Sequence, residues 1–191
     1  MKKLLKNIFL TAILLPFFLI SCNNFKHSKE ISKIDSLLTV LDSAKAKLHE
    51  LDTIYVKNYY DKYLDNLKQI RENFKGKKDE LTFRTMEQYG LINKPLRNFL
   101  RNFDNFNKEI NYSKTQLKNL KCDIKNNKIN KEKIAEYIDT ESKAVNTLNK
   151  KINISVNSSK KYIKKFEKLN PKIYKIIKDL KTQITKKDTK S

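Results

Sequence analysis

The amino-acid sequence predicts an all-α protein, either an elongated helical bundle or an antiparallel, coiled-coil-like hairpin of long helices. Three observations predict it. Beyond residue 21 the only glycines and prolines are Gly76, Gly90, Pro95 and Pro171. No sustained alternation of apolar and polar residues marks a half-buried strand. Apolar residues instead recur at seven, with others set between them, the spacing that keeps one stripe of a helix against a partner. The helical domain is expected over residues 31–185, after a tether at 22–30 and before a polar tail at 186–191.

In the first helix Ile34, Leu41, Leu48 and Tyr55 fall at sevens, with Leu37, Ala44 and Leu51 between them. Around "ELDTIYV" the spacing changes to fours through Tyr55, Tyr59, Tyr63 and Leu67. Asp52 or Thr53 would cap a fresh helix running to about Phe74, and a stutter in one continuous helix fits equally. "KGKKDE" reads as a loop, with Asp79 capping a short helix that a left-handed Gly90 would end.

The most regular pattern is Ile92, Leu96, Phe99, Phe103, Phe106, Ile110, Ser113, Leu117, Leu120 and Ile124. Asn93 and Pro95 suit its start, because proline is tolerated in a first turn. "KNNKIN" supplies a turn and Asn130 a cap. Ile138, Val145, Ile152, Ser159, Phe166, Ile173 and Leu180 then fall at sevens, with Ile134, Leu148, Tyr162, Leu169 and Ile176 interleaved. Two long helices joined by a short polar turn should pack antiparallel. Glu141, Ser155 and Ser159 interrupt that seam, and it is expected to loosen, or to meet another part of the chain, at the serines. Pro171 should kink the helix or cap a new one.

Before these helices lies a different kind of segment. Lys2, Lys3 and Lys6 precede an uncharged run from Asn7 to Ser21, the layout of a secretory signal peptide over residues 1–21. The run is shorter than the roughly 20 apolar residues of a spanning helix, and polar residues follow at once. Leu19-Ile20-Ser21-Cys22 resembles the bacterial lipobox. That resemblance implies cleavage before Cys22 and lipid on its thiol, which is the most nucleophilic side chain available near neutral pH. Two or three acyl chains on Cys22 would anchor the protein essentially permanently. Asn23 stands where the enterobacterial sorting rule places an aspartate for inner-membrane retention. Only Glu30 stands where surface-exported lipoproteins of Bacteroidota resemble one another in carrying an acidic cluster. The expected location is therefore the outer membrane, facing the periplasm, with the cell surface as the alternative. The lipobox, "IDSLLTVLDSAKAKL" and the stretch from "YGLINKPLRNFL" to "EINYSKTQLKNLKCDI" are similar to uncharacterised helical lipoproteins of Bacteroidota, a resemblance that implies fold and location only.

The formal charge is +21, and loss of the three signal-segment lysines leaves +18. Clustered cations gain free energy by releasing counterions from a polyanion. Here, however, 38 lysines stand against only four arginines, and arginine is the residue that forks onto phosphates and bases. No nucleic-acid partner is expected.

Neither is an enzyme. The only cysteines are Cys22 and Cys122 and the only histidines His27 and His49, and the chain contains no HExxH, CxxC, glycine-rich phosphate loop or GxSxG. No catalytic residue, cofactor or metal site is expected. Asp35-Ser36-Leu37, Asp42-Ser43-Ala44 and Asp52-Thr53-Ile54 resemble the O-glycosylation acceptor of exported Bacteroidota proteins, which makes Ser36, Ser43 and Thr53 candidate glycan sites. The expected role is a non-enzymatic, membrane-anchored scaffold or adaptor for an envelope protein or cell-wall partner. The alternative is a module that binds an anionic glycan, lipid or other polyanion through its lysine faces. Cys122, at the f position between Leu117 and Ile124, should face solvent.

Overall fold

A computed structural model describes residues 27–74 and 79–188, with side chains as far as Gln183. The signal segment, Cys22 and Gly76 lie outside the described residues. Five helices occur: α1 (Ser28–Leu48), α2 (Thr53–Asn73), α3 (Glu80–Gly90), α4 (Asn93–Lys125) and α5 (Lys131–Asp188). No strand occurs among the described residues.

The helices form three antiparallel legs. α1 and α2 make the first, α3 and α4 return as the second, and α5 is the third. Glu50 pairs with Lys160, Tyr59 with Glu167 and Gln69 with Lys181, so the first leg runs parallel to α5. Gln88 meets Lys165 and Pro95 meets Ser159, so the second leg runs against it. At 1.5 Å per residue α5 is about 87 Å long, and it sets the length of a rod. The predicted hairpin of α4 and α5 is thus present, but α1 and α2 pack along it to make an elongated bundle.

The core follows the apolar stripes. Ile34, Leu37, Leu41, Ala44 and Leu48 of α1 are buried with Leu96, Phe99, Phe106, Ile110, Leu117 and Ile124 of α4. A ladder runs beside this seam at intervals of seven residues on each helix. Asp35 pairs with Lys121, Asp42 with Lys114, and His49 shares a hydrogen bond of 3.1 Å with Asn107.

Local chemistry sets the helix ends. Asp52 caps α2, its carboxylate accepting from the N–H groups of Ile54 at 2.6 Å and Tyr55 at 3.0 Å, so the change of spacing is a break and not a stutter. Tyr55 therefore leaves the sevenfold stripe of α1 and is 46% exposed. Asp79 caps α3 through the Thr82 N–H at 2.9 Å. After α4, Asn127 takes the left-handed conformation with φ 52°. Its N–H bonds to Ile124 O at 3.1 Å and that of Lys128 to Asp123 O at 2.9 Å, the pair of bonds that closes a Schellman turn. Asn130 then caps α5 through the N–H of Glu132.

Four expectations need correction. α1 begins at Ser28, inside the segment expected as tether: Ile31 packs on the core, and its N–H closes the first turn on His27 O at 3.0 Å. α5 continues to Asp188, into the expected polar tail. Gly90 is the last residue of α3 and is not left-handed, because Leu91 and Ile92 keep right-handed helical angles and lead directly into α4. The fourth lies in α5, where Ile138, Val145, Ile152, Ser159, Phe166, Ile173 and Leu180 are buried as the sequence predicts. The companion row shifts. Leu148 lies three residues after Val145, whereas Val156, Ile163 and Ile177 lie four after Ile152, Ser159 and Ile173. Tyr162, Leu169 and Ile176 are only partly buried. The stripe turns because α5 packs first on α1 and then on α2, and it turns at the serines where the seam was expected to change.

Candidate functional site

The breaks of the first two legs lie near one level of α5, beside Lys160 and Lys165, and Pro171 lies farther along it. The first leg breaks at Glu50–Leu51 and the second at Leu91. In α5 the buried row has just shifted, and Pro171 sits inside the helix without ending it. A proline has no N–H to donate to the carbonyl four residues earlier. Here it follows a polar layer instead of breaking the helix. Asn66 Nδ2 donates to Asn170 Oδ1 at 2.7 Å and to the Tyr89 hydroxyl at 2.8 Å, and that hydroxyl donates to Asn170 Oδ1 at 3.3 Å. Tyr63 donates to Gly90 O at 3.3 Å, Tyr60 to Asn93 Oδ1 at 3.1 Å and Tyr59 to Glu167 Oε1 at 2.6 Å.

Three of these phenols, Tyr59, Tyr63 and Tyr89, are held neutral. Burial pushes Tyr63 up to about 12, with Tyr60 adding to the shift. Burial also raises Tyr89, against the opposing hydrogen bond from Asn66. Tyr59 is raised chiefly by its hydrogen bond to the Glu167 carboxylate. A general base needs a pKa near the working pH, and these groups have moved away from it. Tyr89 packs 5.2 Å from Tyr63 and 5.7 Å from Phe166, ring centre to ring centre. The cluster is a joint that fits the legs together.

Two of the open grooves carry candidate chemistry. The first lies at the end of the rod farthest from Ser28. α3 packs mainly on α5 and leaves a groove of about 580 Å³ against α2. Leu64, Leu67, Ile70, Phe74 and Met86 line it, with Lys68 and Arg71 at its edge. On α3 itself Leu81 is 75% and Phe83 61% exposed. Leu81 borders a neighbouring groove, against Lys172 and Ile176 of α5. Exposed apolar surface of this kind marks contact sites, since each such side chain gains about 1.5–3 kcal/mol when buried.

The second surface lies between α4 and α5, beside the row shift. It is an open groove of about 460 Å³. Asn98, Asn102 and Asn105 project into it from α4 at positions i, i+4 and i+7, and Ser155 and Ser158 face them from α5. Pro95, Phe106 and Ile154 form its apolar parts, and Glu109 and Lys151 stand at one end. Nearby, Ser159 is fully buried and donates to Pro95 O at 3.4 Å, a contact that only a small residue allows. The composition of α4 advertised the asparagines. Their meeting with the serines of α5 depends on the register of the hairpin, which the sequence did not fix.

The other residues singled out in the sequence are placed as follows. Ser36 and Ser43 are exposed on the outer face of α1, and the Ser36 hydroxyl donates to Ser32 O at 3.0 Å. Thr53 is the half-buried first residue of α2. The aspartates of all three triplets have structural partners: Asp35 and Asp42 in the ladder to α4, Asp52 in its cap. A heptad that sends aspartate to a lysine, serine to solvent and an apolar residue to the core generates the repeated triplet by itself. His49 packs edge-on to Phe103 at 5.3 Å and closes the ladder. Cys122 is exposed, with the Asn126 amide 3.3 Å from its sulfur. Its exposure does not imply a two-helix structure, because α1 packs on the other side of α4.

Among the described residues no group of three or more His, Cys, Asp or Glu is placed to hold a metal ion, and no helix is long and apolar enough to cross a membrane. Known family models, curated proteins and solved structures give no match to this chain.

Proposed function

We propose that the protein is a non-enzymatic envelope lipoprotein, anchored through lipid on Cys22, whose rod presents an apolar docking face to another envelope component. The lipobox Leu19-Ile20-Ser21-Cys22 supports the anchor. The observation that carries the adaptor role is the polarity of the rod. α1 starts at Ser28, close behind Cys22, whereas the apolar groove of α2 and α3 and the exposed Leu81 and Phe83 lie at the opposite end. An anchor at one end and a contact face at the other make a spacer that holds a partner at a set distance from a membrane. The outer membrane, with the rod in the periplasm, remains the proposed location.

The reading as a polyanion module has less support. Lys114, Lys121 and Lys160 are engaged in ion pairs that bind one leg to another, and Lys143 pairs within α5 with Asp139. Glycan on Ser36, Ser43 or Thr53 is not needed to explain the triplets.

The test is site-specific photo-crosslinking in the native cell. A crosslinker at Leu81 or Phe83 should give one discrete adduct, and Leu81→Lys placed beside the Phe83 probe should abolish it. The same crosslinker at Tyr137, near the anchored end, should give none. Equal crosslinking at both ends, or none at Leu81 and Phe83, would reject the adaptor role.

A further inference from the structure

We propose that the groove between α4 and α5 is a binding site for an uncharged saccharide chain. It goes beyond the anchoring reading and stands without it. Asn98, Asn102 and Asn105 are spaced along one face of α4, and Ser155 and Ser158 answer them from α5. Each asparagine amide offers two N–H donors and a carbonyl acceptor, and each serine hydroxyl both donates and accepts. Among the described residues none of these five side chains has a hydrogen-bond partner within the protein, whereas other asparagines of the same helices, Asn107 and Asn153, bond to backbone carbonyls. Five unengaged polar groups therefore converge on one concave surface.

Ligand chemistry follows from the lining. A sugar hydroxyl is itself both donor and acceptor, so a row of them reproduces the hydrogen bonds of the water it displaces. Pro95, Ile154 and the edge of Phe106 supply the apolar surface on which the C–H face of a pyranose ring rests. Charge excludes a polyanion here. Glu109 and Lys151 are the only ionised groups in the lining, one of each sign, so the lining carries no net charge to hold one. The groove is open along its length, which suits a chain better than an enclosed monosaccharide.

The experiment is calorimetric titration of the full-length protein in detergent with two neutral probes, chitotriose and maltotriose, and with a heparin fragment. Saturable binding of at least one neutral trisaccharide is expected, little changed between 50 and 200 mM salt. Asn102→Leu should weaken it at least tenfold, while Asn58→Ala, exposed on α2, should leave it unaltered. Should circular dichroism show Asn102→Leu to be unfolded, Ser158→Ala reads the same site, with an expected loss of several-fold. Preference for chitotriose would show that the asparagines read the acetamido group. No saturable binding of either trisaccharide at millimolar concentration would overturn the proposal. So would binding that ignores both groove variants, or binding of heparin alone that disappears with salt.

Discussion

Asn66 of α2 and Asn170 of α5 face each other across the bundle, the Asn66 Nδ2–H donating to Asn170 Oδ1 at 2.7 Å, with Tyr89 of α3 bonded to both. All three legs thus meet in one hydrogen-bonded layer inside a mostly apolar core. A buried group left without its partner costs about 1–3 kcal/mol. Asn66→Leu is therefore expected to lower the free energy of unfolding by that amount in a denaturant titration. The triple variant that adds Asn170→Leu and Tyr89→Phe should recover much of it, since removing all three partners leaves none of them unsatisfied. A fully additive triple variant would show that the three side chains do not interact.

The same layer predicts the alkaline behaviour. The folded pKa values of Tyr59, Tyr63 and Tyr89 lie above the usual phenol value of 10.0. Such groups stabilise the fold fully below pH 10, and the contribution is lost as pH rises through the folded values. Tyr63 should ionise only near pH 12, or together with unfolding, in an ultraviolet titration followed by circular dichroism. One uniform transition near pH 10 with the fold intact would contradict the packing around Tyr63 and Tyr89.

Gly90 separates two readings of the second leg. As a left-handed cap it would resist substitution, but it sits in helical conformation, exposed, and an added Cβ meets nothing within 4 Å. Gly90→Ala should stabilise the protein by about 0.5–1 kcal/mol by reducing the freedom of the unfolded chain. Destabilisation would restore the left-handed cap.

What the sequence showed and what it concealed divide along the same lines. Heptads in α1, α4 and the main row of α5 were legible because the sevenfold spacing persists over several turns. The companion row of α5 was not, because Tyr162, Leu169 and Ile176 are as apolar as Ile163 and Ile177. Only the change of partner from α1 to α2 selects between the two rows. Asp52, Asp79 and Asn130 were readable as caps, since capping depends on a residue and its next three neighbours. Gly90 misled for the opposite reason: its conformation is set by the packing of Tyr89 and Ile92, both fully buried. The groove asparagines were visible in α4, but their partners Ser155 and Ser158 lie about fifty residues away, beyond any local pattern.

Cys122 is exposed on the face of α4 turned away from α1 and α5. It should react with a thiol reagent in the folded protein at nearly the rate of a free thiol. Under oxidation a covalent dimer should form and should be absent in Cys122→Ser. Protection until denaturant is added would mean that another surface covers this face.

The most direct measurement is the mass of the amino-terminal peptide of the protein extracted from membranes of its native host. A peptide that begins at Cys22 and carries a diacylglyceryl group with further acylation is the predicted result, accompanied by partition into detergent that Cys22→Ala abolishes. An unmodified Cys22, or a peptide that still retains Leu19-Ile20-Ser21 before it, would contradict the anchored rod.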